Sequence, residues 1–99
     1  MADVSIRNNP RESRYEINVD EAVAGFADYM LTDGLITFTH TEIAAAHEGQ
    51  GLGSQLVRFA LDDVRATGER SVLPLCPFVK AWIARHPDYD DLLYGTRPR

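Results

Sequence analysis

Polar and apolar residues alternate through the first half of the chain and recur at helical spacing through the second. Val4 and Ile6 alternate with polar neighbours, and Asn9-Pro10-Arg11-Glu12 is a turn signal. Tyr15, Ile17 and Val19 then alternate with Arg14, Glu16 and Asn18, a strict period of two that predicts a half-buried strand. After a short reversal at Asp20-Glu21, Val23 to Leu31 is rich in β-branched and aromatic residues, weakened only by Gly25. Thr32-Asp33-Gly34 supplies a hairpin turn, and Leu35 to Ile43 is the strongest strand pattern in the chain. The expectation is a four-stranded antiparallel meander.

The pattern changes after Gly49. Leu52, Leu56, Phe59, Ala60 and Val64 fall at helical spacing, Val57 and Leu61 widen the stripe, and Gly68 suits the left-handed position that closes a helix. Ser71 to Leu75 reads as a short buried strand. Pro77 opens a second helix with Val79, Trp82 and Ile83 on its apolar face, and His86-Pro87 ends it. Phe59 and Trp82 are expected in the core. Tyr89 to Tyr94 is expected to form a short final strand or turn, and Thr96 to Arg99 to fray. The order β-β-β-β-α-β-α implies an α/β (α+β) fold: a mixed, twisted sheet of about five strands with helices packed on it.

Composition narrows the function. With 99 residues the expectation is one domain over residues 1–99, burying roughly two thirds of its unfolded surface. The 10 Lys and Arg are outnumbered by 15 Asp and Glu, giving a net charge of −5, and the cations are dispersed. That argues against nucleic acid as a partner. No apolar run approaches the roughly 20 residues of a membrane span, and Met-Ala-Asp-Val-Ser lacks the pattern of a signal peptide. Cys76 is the lone cysteine, which suits a reducing, cytoplasmic setting. Three scattered histidines and one cysteine make no metal pattern.

The segment His47-Glu48-Gly49-Gln50-Gly51-Leu52-Gly53-Ser54 joins the best strand to the best helix. Its alternate glycines permit a tight turn with unobstructed amides. The following helix leaves its first N–H groups unpaired and carries partial positive charge there. Together these features suit a phosphate or pyrophosphate. Glycines placed for packing in a tight turn are the structural alternative. No Lys-Ser/Thr pair follows, so the segment is not a P-loop, and the Gly-x-Gly-x-Gly spacing is a poor dinucleotide fingerprint.

Glu48 to Gly53 resembles the acetyl-CoA pyrophosphate loop of GNAT acetyltransferases, usually Arg/Gln-x-x-Gly-x-Gly/Ala. Gly51 and Gly53 match its glycines, while Glu48 stands where the family has Arg or Gln. The stretches Phe38-Thr39-His40-Thr41-Glu42, Gly49-Gln50-Gly51-Leu52-Gly53, Pro74-Leu75-Cys76-Pro77-Phe78-Val79 and His86-Pro87-Asp88-Tyr89 resemble, in order and spacing, the small single-domain YjdJ-type GNAT-like subgroup. The resemblance spans about Leu35 to Tyr89.

That resemblance implies an acetyl-CoA-dependent N-acetyltransferase. Acetyl-CoA would set its pyrophosphate on the amides of Gly49, Gln50, Gly51, Leu52, Gly53 and Ser54. The pantetheine arm would enter a splay between the strands flanking the first helix, near Glu42, Ile43 and Ala44, with the thioester between Ile43 and Cys76. In an ideal strand Ile36, Phe38, His40 and Glu42 share one face, so Glu42 or His40 could deprotonate an amine at the cleft. Cys76, just before a helix, is a candidate acyl acceptor or thioester contact, a buried small hydrophobe being the alternative. Tyr89 would protonate the departing CoA thiolate, as a tyrosine does in many family members. The acceptor is an unidentified amine or protein: only Asn9 to Ser13 joins the first two strands, too short for the family's two pocket-forming helices. The protein is expected as a monomer or weak homodimer. A non-catalytic acyl-CoA-binding or regulatory module, or an interaction domain with a decayed site, are the competing readings.

Overall fold

The computed structural model describes residues 3–95. Five strands, β1 (Val4–Asn9), β2 (Arg14–Val19), β3 (Ala22–Thr32), β4 (Leu35–Ile43) and β5 (Ser71–Pro74), form one sheet in the order β1-β2-β3-β4-β5. The first four run as an antiparallel meander, and β5 joins β4 in parallel. Helix α1 (Leu52–Thr67) makes the crossover between β4 and β5, and α2 (Pro77–Ala84) follows. This is the expected architecture, with the expected bounds for β4.

The two faces of the sheet differ. Tyr15, Ile17, Ala27, Tyr29, Ile36, Phe38 and Val72 point inward and join one apolar cluster with Leu52, Leu56, Val57, Ala60, Leu61 and Val64 of α1. Val79, Trp82 and Ile83 of α2 join it, with Ala24, Cys76, Tyr89 and Leu92. Phe59 is not in this core. It is 38 % exposed and meets Tyr15 edge-on, because the inward stripe of α1 centres on Leu56 and Ala60. The segment after α2 is not a strand. Pro87–Leu92 forms a 3-10 turn, after which Leu93 bridges to Val72 at the edge of β5 and the Tyr94 amide bonds the Val72 carbonyl at 2.8 Å. The fraying expected from Thr96 to Arg99 lies outside the described residues.

The opposite face carries no helix among the described residues, yet it buries a carboxylate. Glu16, 2 % exposed, accepts hydrogen bonds from Arg7, Asn9 and Arg14, and the Arg14 guanidinium lies 4.7 Å from the centre of the Phe26 ring. Burial alone would raise its pKa, but the bonds from Arg14, Asn9 and Arg7 outweigh it and hold the carboxyl below its ordinary 4.5. A carboxylate with a depressed folded pKa stabilises the fold above its unfolded pKa and loses that contribution as pH falls through the folded one. Glu16→Gln should therefore melt below the native protein near neutral pH. The gap between the two melting temperatures should close below about pH 4, and thermal melts across that range check it.

Candidate active site

The site begins with an irregularity. Tyr29 pairs with Phe38 but Asp28 pairs with His40, so Thr39 is an extra residue in β4. A bulge shifts the two-residue alternation by one position. Beyond it, Thr41 and Ile43 take the helix-bearing face, opposite Ala27 and Gly25. His40 and Glu42 go to the helix-free face, opposite Asp28 and Phe26, with His40 6.0 Å from the Phe26 ring. The expectation that His40 and Glu42 share a face with Ile36 and Phe38 is thus corrected: it assumed an ideal strand. The two residues do meet each other, with His40 Nε2 3.1 Å from Glu42 Oε1, and both are exposed.

The bulge coincides with a gap. The β4–β5 ladder ends at Phe38 and Pro74. The Leu75 amide turns back to the Leu73 carbonyl, and the Cys76 amide makes a last bond to Phe38 O at 2.9 Å. Pro77 then starts α2, so β5 cannot follow β4 further. Residues 39–43 of β4 therefore lack a β5 partner, which is the splay that the resemblance implied.

On the helix-bearing side the gap opens into a groove of about 490 Å³. Thr41 and Ile43 form its floor, His47, Glu48, Gly49, Gly51, Leu52, Gly53 and Ser54 one wall, and Phe78 and Arg85 the other. The glycines of the wall have different reasons. Gly49 and Gly51 sit at φ 81° and 77°, where a side chain would strain the backbone although space for one exists. Gln50 between them is not left-handed, and alternation of hand along successive residues is the kind of backbone from which anion-binding nests are built. Gly51 is also the N-cap of α1, and no side chain caps the helix. The amides of its first turn thus lack an acceptor inside the helix, and Leu52, Gly53 and Ser54, which carry them, line the groove. Gly53 is small for packing: a β-carbon there would stand 2.8 Å from the Phe78 ring.

Ser54 has a further constraint. Its Oγ accepts a hydrogen bond from Trp82 Nε1 at 2.8 Å, which leaves its own proton free to donate. Trp82 is 1 % exposed and stacks on His86 with ring centres 3.8 Å apart. His86 Nδ1 is 2.7 Å from the Trp82 carbonyl, which can only accept, so the proton is on Nδ1.

The remaining predicted residues divide. Cys76 is at the splay but 3 % exposed, behind Thr41, to whose Oγ1 its thiol donates at 3.4 Å. Ala44 is not in the groove, and its amide bonds Ala24 O at 2.7 Å. Gln50 is exposed and outside the groove lining, as is Glu42. Tyr89 is not brought to the groove either. It is 5 % exposed, donates to Asp62 Oδ1 at 2.7 Å, and lies beneath the Arg65 and Arg58 guanidinium groups. Burial and the bond to Asp62 raise its pKa above 10.0. Tied to α1 in this way, its hydroxyl is engaged outside the groove lining. Thr41, His47, Phe78 and Arg85 line the groove without having been singled out for it. Periodicity held no signal for Phe78 or Arg85, whose place depends on how α2 docks against the loop.

The fold matches the solution structure of a GCN5-like protein from Staphylococcus aureus with a TM-score of 0.71 and 21% identity, covering 100% of both chains. It matches the crystal structure of a GNAT-family protein from Desulfovibrio desulfuricans with a TM-score of 0.57 and 17% identity, over 75% of this chain and 72% of that one. No curated protein matches the chain. The family model described as GCN5-related N-acetyl-transferase matches residues 14–92, a span containing the bulge, the splay and the glycine loop, and the chain belongs to that family.

Proposed function

We propose that this chain, acting as one domain, transfers an acetyl group from acetyl-CoA to an amine, with the two substrates reaching the β4–β5 gap from opposite faces of the sheet. The observation that carries this reading is the bulge at Thr39, which turns Thr41 and Ile43 toward the glycine loop and His40 and Glu42 toward the helix-free face. The cofactor's pyrophosphate would accept hydrogen bonds from the amides of Gly49 to Ser54, and its pantetheine would follow Ile43 and Thr41 into the gap. The amine would arrive beside Glu42 and His40, which is open ground for a large acceptor.

The chemistry is then direct. Glu42, or His40 through Glu42, takes a proton from the ammonium, and the freed nitrogen attacks the thioester carbonyl. The C–S bond breaks, the acetyl group passes to nitrogen, the nitrogen releases its second proton to solvent to leave the neutral amide, and CoA departs as a thiolate that takes up a proton from solvent. Cys76 is a contact near the thioester in this scheme, not an acyl carrier. Its thiol donates to the Thr41 hydroxyl, which is no base near neutrality and does not activate it as a nucleophile. The lone thiol buried in the core also suits the cytoplasm.

Glu48 on the groove wall favours one second reading, a module that binds acyl-CoA weakly without turnover. Calorimetry with acetyl-CoA, followed by assay of free CoA against a panel of amines, separates the two. Glu42→Gln should lower turnover roughly 100-fold with cofactor affinity unchanged. Cys76→Ala should bind and turn over. Binding without CoA release from any amine supports the module, and no binding at millimolar ligand removes both readings.

A further inference from the structure

A groove for a polyanion is unusual ground in a chain of net charge −5, and its loop wall presents the carboxylate of Glu48. Backbone amides supply partial charges only. Among the described residues lining the groove, Arg85 is the one permanently charged cation, and it stands on the wall facing the loop. It lies seven positions beyond Phe78, about 10 Å along α2, so Phe78 and Arg85 mark the two ends of that wall. The Arg85 side chain is exposed and makes no ion pair or hydrogen bond with another described residue. Arg58, the nearest alternative on α1, lies over Trp82 and approaches the Tyr89 hydroxyl at 3.4 Å. Arg85 is also the C-cap of α2, where a cation offsets the negative end of the helix dipole. That role explains a positive charge at this position but not its place in the groove.

We propose that Arg85 is the phosphate clamp of this protein, a guanidinium on α2 that grips a phosphate group of the coenzyme across the groove and offsets the carboxylate of Glu48. This rests on the reading of the groove as a CoA site. The fork of a guanidinium matches two phosphate oxygens, and a site closed by an amide nest on one side and such a fork on the other holds its anion from both. The acceptor of these bonds is either the diphosphate or the 3′-phosphate, and the two give different signatures.

Calorimetry of the native chain, Arg85→Ala, Arg85→Lys and Arg58→Ala with CoA and with dephospho-CoA tests it. Arg85→Ala should weaken CoA about tenfold, the worth of one charge-assisted hydrogen bond. Arg85→Lys should recover part of the loss, and the salt dependence of binding should flatten in Arg85→Ala. If the clamp holds the 3′-phosphate, the native chain binds dephospho-CoA as weakly as Arg85→Ala binds CoA. If it holds the diphosphate, Arg85→Ala weakens both nucleotides equally. A pure dipole role would lower the melting temperature of Arg85→Ala and leave its Kd unchanged. That result overturns the inference, as does a loss confined to Arg58→Ala. Failure of the native chain to bind CoA at all overturns the CoA reading itself, and the clamp with it.

Discussion

Gly51→Val will weaken acetyl-CoA binding tenfold or more and leave the protein folded. Gly51 holds φ 77° and ψ 11° as the N-cap of α1. A β-branched residue in that left-handed conformation is strained by about 1–3 kcal/mol. A β-carbon at Gly51 meets nothing within 4 Å, so the cost is conformational and the core is untouched. The loop can relieve the strain only by rotating the peptides on either side. Those peptides join residues that line the groove, and in the proposed mode their N–H groups hold the anion, so a displaced donor set loses it. An affinity loss of tenfold or more follows from the strain alone. Gly51→Asn is the control, because asparagine tolerates left-handed backbone, and it should retain most of the affinity. Calorimetry reads both variants, and native affinity in Gly51→Val would show that the amides do not hold the ligand.

The largest loss of stability is expected at Trp82. Its side chain is the largest among those fully buried, it contacts the rings of His86 and Tyr89, and its N–H reaches Ser54. Trp82→Ala should cost about 3–5 kcal/mol, and in a chain of this size that lowers the melting temperature by on the order of 20 °C. Trp82→Phe separates packing from hydrogen bonding. It keeps an aromatic ring in the core but frees the Ser54 hydroxyl to turn away from the groove. Trp82→Phe should therefore melt within about 10 °C of the native protein and bind CoA a few-fold more weakly. Ser54→Ala should abolish that difference in affinity. An equal few-fold loss in the Ser54→Ala background would show that Trp82 acts on the site by some other route.

Much of this fold could be read from residue pattern, and the reasons are local. Leu35 to Ile43 is bounded by an Asp-Gly turn and by a run of alanines, so β4 ends where its pattern ends. Gly68 closes α1, its amide bonding the Val64 carbonyl, and Pro77 opens α2 as proline in a first turn should. The glycine loop was recognisable for the same reason: its chemistry lies in consecutive residues. The faces of β4 were not readable. Alternation predicts which side chains share a face only while the strand is regular, and no residue type marks Thr39 as the extra one. One inserted position sent His40 and Glu42 to the opposite side from Phe38. The surroundings of Tyr89 and Arg85 were not readable for another reason: they come from α1 and the loop, distant in sequence. The Asp62 carboxylate that binds Tyr89 and the groove that Arg85 lines exist only once α2 and the turn after it have docked.

The gap between β4 and β5 is held open by what comes next in the chain. To zip shut, β5 would need residues 77 and beyond, and these already belong to α2, with Val79 and Trp82 anchored in the interior. Closure would mean unravelling that helix from its first turn. In the proposed mode a coenzyme finds the slot prepared and spends none of its binding free energy on prising strands apart, so the cost of preorganisation is met when the protein folds.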